Sequence, residues 1–210
     1  MNSVIDEFHK LYYQTPNTWP GNTWLGRPIE QSPFDIYLYQ ELVHEVRPAS
    51  IIQTGVKRGG SLLMFASYLD LIGAPADARV VGVDIDLIPA LGLKHPRIRL
   101  VEGSSIDPRT LAILDGLHLP PGMVVLDSDH SYGHVLAELR AYWPRVAEGQ
   151  YLVCEDTNLG HPVPGWKSGP AEALETFLAE RTEFEPSDRW KRNLISFHPG
   201  GWLRRVPGND

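Results

Sequence analysis

The stretch SIIQTGVKRGGSLLMFASYL, residues 50–69, joins a short apolar run, a glycine-rich loop and a helical pattern. The run Ser50–Thr54 stops at Gly55, and apolar residues then recur at helical spacing through residues 61–71. Glycines let a backbone approach a ligand closely, and the start of a helix offers unpaired N–H donors. The stretch therefore predicts a strand, a turn and a helix with a ligand site at the turn. A tight turn without a ligand is the alternative.

Four later runs share the character of the first, because each is short, rich in β-branched residues and without regular polar alternation. They are residues 79–84, 97–101, 123–126 and 151–154. Such runs are typical of strands buried on both faces. Helical patterns, such as residues 135–146, lie between them, so we expect a Rossmann-like α/β fold with a mostly parallel central sheet and helices on both faces. Residues 194–197 and 202–205 predict a C-terminal antiparallel hairpin.

Length and charge limit the classes of function. The 210 residues, 42% of them hydrophobic, suffice for one α/β domain, which we assign to residues 34–210. Residues 1–33 are rich in Trp, Pro, Gly and Asn and are interpreted as an irregular N-terminal arm, either a lid or a subunit contact. The net charge of −7 disfavours nucleic-acid and membrane partners. Without a signal-peptide pattern or a long apolar run, the expected location is cytoplasmic.

Polar residues follow the second and third runs, where a ligand would meet the sheet. Asp84 and Asp86 close the second run, and a carboxylate there can accept both hydroxyls of a ribose. Ser104 and Ser105 follow the third run and are expected to border an adenine. Taken with the glycine loop, this order predicts an adenosine-containing ligand. The alternative for Asp84 is a helix cap.

Acidic residues cluster after the fourth and fifth runs. Asp127 and Asp129 follow one run, and Glu155 and Asp156 follow the other, one strand–helix–strand step later. Neighbouring parallel strands bring such ends together, and the mutual repulsion of the carboxylates favours a bound Mg²⁺, Mn²⁺ or Ca²⁺. His130 lies in the same turn and is interpreted as a general base. Separate helix caps are the alternative.

With these motifs, the chain resembles the cephalosporin hydroxylase/rhamnosyl O-methyltransferase family. The resemblance runs from Trp24 to Arg205. The segments that carry it are Trp24-Leu25-Gly26-x-Pro28, Asp35 with Tyr39-Gln40-Glu41, GVKRGGS, GVDID, HPRI, EGSSID, LDSDHSYGHVLAEL, YLVCEDT and FHPGGWLRR. Among them, LDSDHS together with EDT is specific, whereas the glycine loop alone is not.

The resemblance implies the class I methyltransferase fold, with S-adenosylmethionine as cofactor and a bound Mg²⁺. It assigns Asp127, Glu155 and Asp156 as metal ligands and His130, with Asp127, as catalytic. The expected cofactor-binding residues are Gln53, Gly55, Gly59, Gly60, Ser61, Asp84, Asp86, Ser104, Ser105 and Asp127. Gln53 departs from the family pattern, because an acid usually stands there to orient the amino-acid end of the cofactor.

The resulting hypothesis is a metal-dependent O-methyltransferase that acts on a hydroxyl of a small molecule, such as a sugar, a glycoside or another natural-product intermediate, and that forms a homo-oligomer. In the lid interpretation, Trp19 and Trp24 fold over the acceptor. One alternative is a Rossmann-type NAD(P)-dependent oxidoreductase, although the loop lacks the G-x-G-x-x-G turn. The other is a non-catalytic cofactor-binding protein.

Overall fold

The computed structural model describes residues 3–165 and 169–207. Its strands are β1 (Thr23–Trp24), β2 (Arg27–Pro28), β3 (Ser50–Thr54), β4 (Arg79–Asp84), β5 (Ile98–Glu102), β6 (Met123–Leu126), β7 (Tyr151–Cys154), β8 (Phe184–Pro186) and β9 (Trp202–Arg205). Its helices are α1 (Ser3–Gln14), α2 (Pro33–Val46), α3 (Gly60–Leu71), α4 (Pro108–Gly116), α5 (Tyr132–Tyr142) and α6 (Pro170–Glu180). Within these two ranges, none of the helices combines the length and apolar character needed to cross a membrane.

Seven strands form the central sheet, in the order β5-β4-β3-β6-β7-β9-β8. The first five pair in parallel, and β9 and β8 add at one edge with antiparallel pairing. The chain winds outward from β3 in one direction and then from β6 in the other, so the sheet has a switch point between these strands. Ligands bind outside the carboxyl ends of the strands at such a point. The expected mostly parallel α/β sheet is confirmed.

Apolar layers cover both faces of the sheet. One contains Tyr39 of α2 and Phe65 of α3, and the other contains Tyr142 of α5 and Phe177 of α6, all of them buried. Every residue of β3, β6 and β7 is buried, which accounts for their continuous apolar character. Each large side chain buried in this way contributes about 1.5–3 kcal/mol to stability.

The C-terminal antiparallel pair is present, but its first member differs from the expected one. β9 pairs with β8, and residues 194–197, all of them described, are not a strand. Leu194 has a positive φ of 65°, the Phe197 N–H donates to the Asp35 carboxylate, and the Phe197 carbonyl accepts from the Asn158 N–H. Because these side-chain and loop partners use its backbone groups, the segment cannot join a ladder.

The expectation of an irregular arm is wrong for Ser3–Gln14, which forms α1. One face of this helix carries aromatic rings that pack on Phe197, including those of His9, Tyr12 and Tyr13. The composition of residues 15–33, which supply the turns, masked this helical pattern. The division of the chain into residues 1–33 and 34–210 stays a prediction.

Candidate active site

A cavity of about 850 Å³ opens at the carboxyl ends of the parallel strands. All ten residues expected to bind a cofactor line it: Gln53, Gly55, Gly59, Gly60, Ser61, Asp84, Asp86, Ser104, Ser105 and Asp127. His130 and Asp156 also line this cavity, whereas Glu155 lies behind its wall. Its volume is within the range of about 300–1,000 Å³ that is usual for small-molecule sites.

The glycine loop approaches β6 so closely that only glycine fits at its first position. Gly55 has a φ of +76°, and a Cβ atom there would lie 1.7 Å from the backbone oxygen of Asp127. The Asp84 carboxylate fastens the same loop, because its Oδ2 accepts the N–H groups of Val56 at 2.7 Å and Lys57 at 3.0 Å. Asp84 is thus in the expected place, and its binding of a ribose stays a prediction.

Gln53 lies beneath the loop and is 1% exposed. Its Nε2 donates to the Gly55 carbonyl at 2.6 Å and to Ser61 Oγ at 2.8 Å. Its Oε1 is buried and finds no hydrogen-bond partner among the described residues. The amide therefore supports the loop through its nitrogen and keeps one oxygen acceptor for a ligand group in the cavity.

On the other side of the cavity, Ser105 belongs to a polar group that the sequence did not reveal. Its Oγ lies 3.0 Å from His134 Nε2, and the same nitrogen is 3.6 Å from Glu138 Oε1. The interaction with Glu138 raises the pKa of His134. Ser128 Oγ donates to the same Glu138 oxygen at 2.6 Å. Glu138 lies in the middle of the apolar face of α5, and an acid at that position was the feature of the sequence that could have revealed this group.

The acidic cluster assembles as expected from two strand ends. One side-chain ligand atom from each of Asp127, His130 and Asp156 lies within 4.8 Å of the others. His130 Nε2 is 3.2 Å from Asp156 Oδ2 and 3.6 Å from Asp127 Oδ1. Asp129 behaves differently, because it is exposed and its Oδ1 accepts the Ser131 N–H at 2.7 Å. Asp129 thus closes a turn just before α5, whose N-cap residue is Ser131, so the helix-cap alternative is wrong for Asp129.

Glu155 is 4% exposed, and its oxygens are already engaged. One accepts the Tyr39 hydroxyl at 2.5 Å and the other accepts the Gln31 amide. Glu155 thus supports the cluster from below, and its assignment as a direct metal ligand stays a prediction.

Burial raises the pKa of all three carboxyl groups above the usual values. For Asp127 the second cause is the charge of Asp156, and for Glu155 it is the charge of Asp127. These three neighbouring carboxylates, of which Glu155 is buried and Asp127 and Asp156 are partly buried, repel one another and are costly without a cation. Oxygen ligands of this kind suit Mg²⁺, Mn²⁺ or Ca²⁺, so the residues present fit a divalent metal.

A buried histidine holds the backbone of one cluster residue. Asp156 has a φ of +54°, and its N–H donates to His198 Nδ1 at 2.9 Å. His198 is 1% exposed and packs against the rings of Tyr39 and Trp202. His198 belongs to the segment FHPGGWLRR, but the sequence alone predicted no role for it.

Behind this histidine lies a buried acid. Ser196 Oγ donates to Asp35 Oδ1 at 2.6 Å, and burial raises the pKa of Asp35 to about 7. The same Oγ accepts the His198 N–H at 2.9 Å. An acid on the apolar face of α2 was the signal that could have revealed this support from the sequence.

Two aromatic residues of the N-terminal segment reach the cavity, and one expected residue does not. Trp19 lines the cavity together with Tyr13, which sequence reasoning missed. Trp24 packs on Tyr68 at 5.3 Å between ring centroids, and its Nε1 donates to Ser67. The lid interpretation therefore has support at Trp19 and none at Trp24.

Comparison with known proteins gives a consistent result. The family model described as rhamnosyl O-methyltransferase/CmcI matches residues 17–206. The rhamnosyl O-methyltransferase of Mycobacterium leprae (strain TN) is 40% identical over 214 residues, covering 97% of this chain and 91% of that protein. The Mycobacterium tuberculosis (strain ATCC 25618 / H37Rv) protein of the same name is 35% identical over 211 residues, covering 97% and 86%.

A solved structure of CmcI with magnesium and S-adenosylmethionine superposes with a TM-score of 0.70 at 23% identity, covering 94% of this chain and 84% of that one. This likeness is evidence about the fold. It agrees with the class I methyltransferase architecture that the sequence predicted.

Proposed function

The chain belongs to the rhamnosyl O-methyltransferase/CmcI family, and on that premise we propose that it is an S-adenosylmethionine-dependent, divalent-metal-dependent O-methyltransferase acting on a hydroxyl of a sugar or glycoside. The observation that carries the proposal is the meeting of Asp127, His130 and Asp156 in the cavity that the glycine loop also lines. The oxidoreductase alternative is not favoured, because the relatives are named methyltransferases and the loop lacks the G-x-G-x-x-G turn.

Asp127 and Asp156, with Glu155 beneath them, would hold the metal. When bound, the metal supplies a Lewis acid that lowers the pKa of the acceptor hydroxyl, and S-adenosylmethionine supplies the methyl group. His130 removes the hydroxyl proton, and the neighbouring carboxylates at 3.2 and 3.6 Å stabilise the resulting imidazolium. General base catalysis of this kind contributes roughly 10²–10⁴-fold.

The remaining residues orient the reactants. Gly55 and Ser61 would line the methionine end of the cofactor site, and Asp84 would accept the ribose hydroxyls. A vicinal diol, as in a sugar, would suit a metal held by the cluster, because it offers two neighbouring oxygen donors. A homo-oligomeric state and a cytoplasmic location stay predictions.

Thermal unfolding with chelator and with Mg²⁺ tests the metal site. Because the pKa values of the carboxyl groups are raised, the metal-free folded protein holds protons on them. It loses these protons as the pH rises through those pKa values, and its free energy of unfolding falls. Mg²⁺ replaces these protons, so its stabilising effect is expected to increase as the pH rises. At 100 times the Kd, a ligand adds about 2.7 kcal/mol, which is a shift of roughly 5–10 °C for a chain of this size.

Asp156→Asn is expected to abolish this shift and methyl transfer while leaving the calorimetric affinity for S-adenosylmethionine intact. Asp129→Asn is the matched control, because Asp129 lies in the same acidic turn as His130 but outside the cluster. It should keep the Mg²⁺ shift. Equal melting points of the wild type in both conditions would remove the metal site, and tight NADPH binding in its place would overturn the proposed function.

A further inference from the structure

We propose that Tyr13 and Trp19 form the acceptor subsite, a preformed aromatic wall that takes one face of a hexopyranose ring and presents its vicinal hydroxyls to Asp127, His130 and Asp156. The inference rests on the proposed function and names the residues that recognise the acceptor at the same site. The two aromatic residues come from the N-terminal segment, outside the Rossmann-like core. The geometry thus gives this segment a role in recognising the acceptor.

The position of the pair carries the first step. Both side chains line the cavity that holds the acidic cluster, and both are only partly buried, so ring surface is open to a ligand. Both rings contact Phe197, which directly precedes His198, the residue that accepts the Asp156 N–H. The wall therefore stands at the metal end of the cavity.

The wall is fixed before any ligand arrives. The two rings lie 5.1 Å apart, and Trp19 Nε1 donates to the Tyr13 carbonyl at 2.9 Å. Both rings meet Phe197 edge-on, at 5.2 and 5.6 Å. Phe197 is 2% exposed and directly precedes His198, which holds Asp156. The segment of Phe197 and His198 thus supports both the aromatic wall and the metal cluster.

α1 is also anchored to the segment that follows the metal cluster. His9 is 4% exposed, and its Nε2 lies 2.9 Å from Asn158 Nδ2, two residues after Asp156. Burial lowers the pKa of His9 to about 4, so the ring is neutral and can accept this hydrogen bond. This contact fixes α1 against the core, and α1 in turn fixes the position of Tyr13 in the wall.

The chemistry of the wall matches a sugar ring. An indole offers an apolar face, and a phenol adds a polar edge with one donor, so together they suit a ligand that has an apolar face and a polar rim. The Tyr13 phenol lines the cavity and can donate a hydrogen bond to a ring hydroxyl. Gln31 and the ion pair of Lys57 with Glu30 line the same cavity and supply further polar groups.

The test uses the full chain with Mg²⁺ and S-adenosylhomocysteine, and methyl α-L-rhamnopyranoside as the probe. Saturation-transfer NMR measures sugar binding, and turnover is measured separately with S-adenosylmethionine. Trp19→Ala is expected to weaken binding and to raise the acceptor KM by about tenfold or more, equivalent to 1.4 kcal/mol. Tyr13→Phe, which keeps the ring, should lower kcat/KM by about fivefold. Both should keep the wild-type affinity for S-adenosylmethionine.

Trp24→Ala is the matched control, because Trp24 belongs to the same segment but packs on Tyr68. It should leave sugar binding unchanged. Trp19→Phe keeps an aromatic ring and should therefore retain part of the sugar affinity that Trp19→Ala loses, which a fold defect would not explain. Sugar binding that is equal in the wild type, Trp19→Ala and Tyr13→Phe would overturn the subsite.

Binding separates this inference from the proposed function. If the wild type binds the rhamnoside through Trp19 but transfers no methyl group to it, the function fails and the subsite stands. If catechol is bound and methylated in preference to the rhamnoside, the pyranose assignment is wrong.

Discussion

The two ends of the cavity are built in different ways. At the metal end, side chains from the ends of β6 and β7 meet, and buried partners such as Tyr39 and His198 hold them from behind. At the cofactor end, residues 55–59 form one continuous loop that leads into α3, with Asp84 and Gln53 bracing its backbone. The metal end thus depends on contacts between distant segments, whereas the cofactor end depends on the conformation of a single loop.

This difference has a consequence for substitutions. A change at the cofactor end acts through the backbone, so its effect depends on whether the new side chain fits. A change at the metal end acts through a chain of side-chain contacts, so a residue well outside the cavity can alter metal binding. The comparison can be tested where the two ends touch, and then at each end separately.

Gly55→Ala is expected to have the largest effect, because it breaks both ends at once. The new Cβ would lie 1.7 Å from the Asp127 backbone oxygen, in a backbone conformation with φ of +76°. Overpacking costs about 1–3 kcal/mol and strain at such a φ adds about 1–2 kcal/mol, which together lower the melting temperature by roughly 10 °C. Affinities for Mg²⁺ and S-adenosylmethionine should both fall.

Gly133→Ala is the matched control for this change. Gly133 lies in α5, and a Cβ there would meet no described atom within 4 Å. Its melting temperature should equal or slightly exceed that of the wild type. A wild-type melting temperature for Gly55→Ala would show that the loop and β6 are not in contact.

His198→Leu is expected to weaken Mg²⁺ binding by about tenfold while sparing S-adenosylmethionine. The Asp156 N–H would lose its acceptor, and a buried unsatisfied donor costs about 1–3 kcal/mol. Without that hydrogen bond, the left-handed conformation of Asp156 is no longer held. Calorimetric titration with Mg²⁺ and then with the cofactor measures the two affinities.

His198→Asn distinguishes a positioning role from a general role in packing. Asparagine places an acceptor at the same distance along the side chain as Nδ1, so it should restore most of the Mg²⁺ affinity even if the melting temperature stays low. Equal loss of affinity in both variants would mean that the ring packs the core and does not position Asp156.

The same contrast explains what could be read from the sequence. The parallel sheet and the cavity residues were predictable because strand ends, glycines and acids occur at intervals that the fold brings together, as in Asp127 and Asp156. The residues behind them were not, because Asp35, Ser196 and His198 lie far from the cluster in sequence.

Two errors have different physical origins. α1 was missed because the turn-rich composition of residues 15–33 masked its helical pattern. Residues 194–197 were assigned to a strand because of their apolar character, which reflects burial, whereas Asp35 binds their backbone. In the second case a tertiary contact overrides the local pattern.

Gln53→Glu is expected to give the smallest effect and sharpens the comparison at the cofactor end. A carboxylate loses the donation to the Gly55 carbonyl and faces that oxygen at 2.6 Å, so the melting temperature should fall by about 2–4 °C, or about 1 kcal/mol. The Oε1 position, which lacks a partner among the described residues, should pair with the cofactor ammonium group. S-adenosylmethionine should then bind up to about tenfold more tightly.

Gln150→Glu separates the two effects. Gln150 also donates to a backbone carbonyl, that of Val46 at 2.7 Å, and its Oε1 likewise lacks a partner within residues 3–165 and 169–207, but it lies outside the cavity. This variant should lower the melting temperature without changing cofactor affinity. Weaker S-adenosylmethionine binding in Gln53→Glu would mean that the loop conformation, and not the charge beneath it, determines affinity at this end. The cofactor end would then depend on backbone conformation alone, whereas the metal end depends on side-chain contacts.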